Sequence, residues 1–193
     1  MDTIILASGS PRRRDLLTRA KIPFKVISPN LTEDFTPQIE IGDLVAGIAR
    51  RKVETVLELF KAESPRWVLG ADTVVEIGGK ILGKPEGPEE AESMLKRLSG
   101  AVHRVFTGLA LCVEKNTPME IESVCTQVKF RPMDQEEIRF YVESGEWTGA
   151  SGAYRIQERG SFFVEWIKGS YSNVVGLPLE AFYVMLKRNS FKF

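Results

Sequence analysis

Residues 4–17 read IILASGSPRRRDLL, an apolar run that breaks at Ser-Gly-Ser-Pro and resumes with helical spacing. This junction constrains the fold more than any other stretch, because it feeds a buried strand straight into a helix. Ser10 suits the N-cap, Pro11 the first helical position, and Leu16, Leu17 and Ala20 the apolar face. Arg12, Arg13 and Arg14 then fill the first helical turn. The macrodipole makes that end positive, so acidic residues are favoured there and each cation costs about 0.3–1 kcal/mol. Three arginines set against that field point to an anion bound at the helix start.

The alternation continues along the chain: strand 3–8, helix 11–20, strand 22–28, helix 41–61 and strand 66–71. A hairpin follows in TVVEIGGKILG, turning at Gly78-Gly79, and GPEEAESMLKRLSG reads as a helix. HRVFTGLALCVEK and IESVCTQVKFRP read as long strands. A helix at 134–144, strand-like GAYRIQ, an irregular SFFVEWIKGSYSNVVGLP and a helix around 178–188 complete the chain. The mixture predicts α/β or α+β with a mixed sheet. At 193 residues there is room for one substantial core or two lobes. Neither repeat nor linker divides the chain, so a single domain over residues 1–193 is expected.

Lys+Arg and Asp+Glu balance at 26 each, so no overall field attracts nucleic acid and any anion site is local. Cys112 and Cys125 form no CxxC and His103 is the single histidine, which excludes a Cys/His zinc site. Both cysteines sit in apolar runs and are expected as buried thiols. No apolar stretch approaches the ~20 residues that span a bilayer, and TIILAS begins without a signal-peptide pattern. A cytoplasmic protein without a membrane partner is the expectation.

Helix 41–61 carries the most informative single residue. Ile41, Leu44, Val45, Ile48, Ala49, Val53, Val56 and Phe60 form one apolar stripe at helical spacing, and Lys52 points into it. A buried ammonium is costly unless paired, so Lys52 meets a bound anion, pairs with a structural carboxylate or snorkels out. In WVLGADTVV, Asp72 ends a buried strand, the region where open α/β sheets bind ligands. An acid there can ligate a metal, activate water or simply cap a turn. Lys84 lies on the loop leaving the hairpin, and Glu33 follows a strand in ISPNLTED. Arg12, Arg13, Lys52 and Lys84 together suit a polyphosphate, with Asp72 and Glu33 as candidates for metal or base. Phosphoryl transfer needs that set: cations to spread charge, a metal to bridge oxygens and a carboxylate to position water. Neither a Walker A run nor GxGxxG is present to support a standard nucleotide motif.

LASGSPRRRDLL, GADTVV, GKP, GAYRIQ and GSYSNVVGLPL occur in order from residue 4 to about residue 185, and together they resemble the Maf-like nucleoside triphosphate pyrophosphatases. The resemblance implies an elongated mixed β-sheet flanked by helices, with a cleft between two lobes, as in the Maf/ITPase-like fold. It implies hydrolysis of a nucleoside triphosphate to the monophosphate and pyrophosphate, dependent on a divalent metal cation (Mg, Mn or Co). GADT and YRIQ are similar to the branch acting on dTTP and UTP, with modified pyrimidine nucleotides left open.

Carried over residue by residue, Asp72 matches the catalytic proton acceptor and, with Glu33, a metal ligand. Ser8, Arg12, Arg13, Lys52, Thr73, Lys84 and Gln157 match substrate-binding positions. Arg12, Thr73 and Gln157 are those that separate the substrate branches. A homodimer is also implied. Two departures stand out: Ala150 replaces a common lysine, and Glu158 replaces the glycine that commonly follows the IQ pair. They remove one cation and place an acid near Gln157. Two rival readings stay open. One is a nucleotide-binding regulator of septum formation and cell division with secondary catalysis. The other is an RNA-binding module using SPRRR, against which zero net charge weighs.

Overall fold

The computed structural model describes residues 2–29, 31, 39–60, 65–115 and 117–193. Its elements in chain order are β1 (Ile4–Ala7), α1 (Pro11–Arg19), β2 (Phe24–Val26), α2 (Ile41–Glu58), β3 (Val68–Ile77) and β4 (Lys80–Leu82). They continue with α3 (Pro88–Leu98), β5 (Val102–Cys112), β6 (Glu120–Phe130), α4 (Gln135–Glu143), β7 (Val164–Lys168), α5 (Tyr171–Val175) and α6 (Leu179–Arg188). One seven-stranded sheet runs β2-β1-β3-β5-β6-β7, with β4 paired to β3. β1 is parallel to both β2 and β3, whereas β4 and β7 run antiparallel to β3 and β6. The expected mixed sheet with flanking helices is what forms.

The chain divides into two compact units, and β3, β5 and β6 each contribute to both. The first comprises Met1–Asp72, Thr107–Val124 and Gly176–Phe193. Its core forms where α2 lies on the sheet: Ala49, Val53, Val56 and Leu57 pack with Ile5, Ala7, Val68 and Ala110. Two glycines let the helix backbone come that close. A Cβ on Gly70 would lie 2.2 Å from the Ala49 carbonyl oxygen, and one on Gly108 would lie 2.3 Å from the Val45 carbonyl. Neither position admits a side chain in an interior packed to crystal density.

The second unit comprises Thr73–Phe106 and Cys125–Val175. There α3 packs against α4 and against a short 3₁₀ turn, Ser151–Ala153, which also meets β4. Gly78 and Gly79 turn the β3–β4 hairpin at φ 58° and 77°, the left-handed backbone that a tight two-residue turn requires. The buried Glu76 carboxylate accepts from Gly79 N and from Arg104 Nε, each at 2.6 Å, and so ties the turn to β5.

Several local expectations are corrected. The strand at 66–71 and the first hairpin arm are one ten-residue strand, β3. GAYRIQ is not a strand, because Gly152 and Ala153 adopt φ 72° and 61° and extended backbone cannot pass through them. The segment read as irregular contains β7 and α5. Ser10 stands at the N-cap of α1, yet its side chain makes no capping bond. Cys112 is buried, but Cys125 is exposed, since the outer part of β6 alternates between half-buried and open positions. No helix among the described residues is long and apolar enough to cross a membrane.

Candidate active site

β1 and β3 run parallel in the register Ile5↔Val68, Leu6↔Leu69, Ala7↔Gly70. The chain therefore leaves β1 into Ser8 and α1 at the level where β3 reaches Asp72. β1 presents its carboxyl end there, the usual ligand end of a parallel sheet, whereas Asp72 does not end a strand as expected but is the fifth of ten residues in β3, which continues into the hairpin.

Strand alternation puts Val68, Gly70 and Asp72 on one face, and Gly70 is where α2 presses closest. Lys52 follows Ala49 by three residues and shares its helix face. The result is a direct pair: Lys52 Nζ donates to Asp72 Oδ1 at 2.5 Å, with side-chain exposures of only 11% and 5%. Of the three fates open to the lysine, pairing with a carboxylate is the one the fold selects. The carboxylate's second oxygen, Oδ2, is buried and has no hydrogen-bond partner among the described residues. Leaving such an acceptor unpaired costs on the order of 1–3 kcal/mol, so it marks a position made for chemistry rather than for stability.

The arginines of α1 diverge. Arg14 is exposed, Arg12 half-buried and Arg13 buried. Arg13 Nε donates to the Gly176 carbonyl at 2.7 Å, and its Nη1 donates to Ser8 Oγ at 2.9 Å. Ser8 Oγ also accepts from Ser10 N at 3.2 Å. The guanidinium plane is thus fixed from two sides, with Ser8 acting as its support. Gly176 escaped sequence reasoning, because a main-chain acceptor carries no residue-type signature. The only hint was a glycine inside SNVVGLP, here at φ 120°.

In the second unit, Thr73 follows Asp72 in β3 and its carbonyl accepts from Ser151 Oγ at 3.0 Å. Lys84 is exposed on the loop after β4. Gln157 is half-buried, and its Oε1 is buried without a hydrogen-bond partner among the described residues. Glu158 is exposed and lies 3.5 Å from Arg155 Nη1. Direct contacts therefore join Ser8 with Arg13 and Lys52 with Asp72. Glu33 lies outside the described residues.

The divalent metal implied by the family resemblance can be weighed against Asp72. No group of three His, Cys, Asp or Glu side chains gathers among the described residues to form an all-protein cage. Mg²⁺-like ions do not need one, since one or two carboxylates plus water and substrate phosphates suffice. A carboxylate oxygen without a partner among the described residues, Asp72 Oδ2, fits that requirement.

The HAM1 protein from Coxiella burnetii has the same overall fold, with a TM-score of 0.53 at 17% identity, over 97% of this chain and 100% of that one. A dTTP/UTP pyrophosphatase of Pelotomaculum thermopropionicum is 40% identical over 188 residues, spanning 97% of each chain. One of Thermococcus kodakarensis is 45% identical over 177 residues, spanning 92% of each. The model of the Maf-like protein family matches residues 3–189, and the chain belongs to that family.

Proposed function

We propose that this protein hydrolyses dTTP and UTP to the nucleoside monophosphate and pyrophosphate. The observation that carries the reading is the buried Lys52–Asp72 pair midway along β3, beside the level where β1 ends, with one Asp72 oxygen engaged and the other without a partner among the described residues. The names of the curated relatives, which align along nearly the whole chain, support it.

In this scheme Asp72 Oδ2 orients a water molecule and takes its proton as the water oxygen bonds to the α-phosphorus. The bridging oxygen between the α and β phosphorus leaves with pyrophosphate. Lys52 fixes the carboxylate's rotation through Oδ1 and contributes positive charge where negative charge builds. Arg12 and Arg13, with backbone N–H groups of the first turn of α1, bind phosphate oxygens, and Lys84 adds a further cation. A divalent cation held by Asp72 and Glu33 would supply electrostatic stabilisation of the triphosphate oxygens. Gln157 both donates and accepts, which matches the mixed edge of thymine or uracil, and its buried Oε1 supports that role. Thr73 shapes the same pocket. The reading also has the protein as a cytoplasmic homodimer.

Asp72→Asn preserves size and removes the basic oxygen. Its turnover of dTTP is expected to fall by about 10²-fold or more with an unchanged circular dichroism spectrum. Excess chelator is expected to abolish wild-type turnover. Near-normal rates in both experiments would overturn the scheme.

A further inference from the structure

Two of the substrate-binding segments in the second unit are fastened to one short turn. Ser151 Oγ donates to the Thr73 carbonyl, and Gly152 N donates to the Gly83 carbonyl next to Lys84, each at 3.0 Å. Gln157 lies only a few residues beyond the same turn. The turn itself is stiff. Gly152 has φ 72°, and a Cβ there would stand 2.8 Å from Val75 Cγ2. Ala153 is also left-handed at φ 61°, and the turn is packed against α3 and β4. The Gly152 tether is main-chain and needs only this backbone shape. The Ser151 tether depends on the side chain, so the residue type matters at that position.

We infer that Ser151 is a positioning residue for pyrimidine triphosphate: its hydroxyl holds the Thr73 peptide in place relative to the Lys84 loop and Gln157. This rests on the dTTP/UTP reading above. Ser151 does not touch the reacting atoms, so its loss should weaken substrate binding and base selection and leave the chemical step alone. A hydrogen bond acting only on turn stability would lower the thermal midpoint without altering either.

The test compares wild type, Ser151→Ala and Ser151→Thr in steady-state hydrolysis of dTTP, UTP and GTP. Ser151→Ala deletes one half-buried hydroxyl and creates no strain. For it we expect KM for dTTP and UTP to rise roughly 3- to 10-fold, the scale of one lost neutral hydrogen bond, with kcat within about twofold of wild type. Preference for dTTP over GTP should shrink with it, and Ser151→Thr should restore both. Wild-type KM and preference in Ser151→Ala overturn the inference whatever its thermal midpoint, as does a fall in kcat at constant KM. A wild-type protein that fails to hydrolyse dTTP would instead strike the underlying reading, so the two failures are distinguishable.

Discussion

At the scale of single residues, the Lys52–Asp72 pair shows how a helix lysine on an apolar stripe is accommodated in a buried ion pair. The charge is tolerated at that depth because its partner lies across the helix–sheet interface. Lys52→Met strands a buried carboxylate, and urea denaturation should show a loss of about 3–5 kcal/mol, mostly recovered in Lys52→Met/Asp72→Asn. Equal stability of wild type and Lys52→Met would deny the pair its structural role. His103 makes a separate prediction. It is 1% exposed, with Nε2 at 2.8 Å from the Tyr154 hydroxyl and its ring edge-on to Phe130. Burial pushes its pKa down from 6.5 to about 4, against the opposing pull of Glu76. Between those values the unfolded chain binds a proton that the folded chain refuses, so stability falls as pH drops through that window. Below it the loss is complete. Unfolding free energies from urea titrations at pH 7 and 4.5 should differ by roughly 2–3 kcal/mol, and by clearly less in His103→Gln. An identical difference in the variant would assign the acid sensitivity elsewhere.

At the scale of elements, α2 and β3 decide the geometry. Gly70→Ala would drive a methyl group into the Ala49 carbonyl, only 2.2 Å from the Cβ position, and force α2 off the sheet. We expect thermal denaturation to show a loss of about 1–3 kcal/mol or more, and turnover to drop as Lys52 moves from Asp72. A fully active, fully stable Gly70→Ala would show that the close approach is not needed. Helix α2 was legible from periodicity, and Lys52 stood out because it broke that period. GAYRIQ misled because its apolar residues mimic a strand while the backbone at Gly152 and Ala153 turns left-handed. Side-chain pattern does not report φ. The run containing β7 was missed for a related reason: that strand is only five residues long and rests on its pairing with β6, which no local pattern encodes.

At the scale of the whole molecule, the order β2-β1-β3-β5-β6-β7 comes from long-range pairing that single-sequence periodicity cannot supply. What the sequence did expose were residues whose chemistry conflicts with their local setting: arginines at a positive helix end, a lysine on an apolar face, and an aspartate in a buried run, which continues past it in β3 rather than ending there. Those conflicts led to Arg13, Lys52 and Asp72, and each finds a buried partner in the first unit. Lys84 drew notice only as one more cation to add to that set, and Thr73 and Gln157, which created no such conflict, were assigned through family resemblance. The supporting contacts from Gly176 and Ser151 lay beyond both routes. The proposed function joins a reaction, release of pyrophosphate, to a base preference. The most direct measurement is competition among dTTP, UTP, ATP and GTP at equal concentration with Mg²⁺ or Mn²⁺, with pyrophosphate and orthophosphate measured separately and the assay repeated on Gln157→Ala. Pyrophosphate is the expected product, with dTTP and UTP consumed first and that order weakened in the variant. Orthophosphate as the product, or purine triphosphates consumed first, would contradict it.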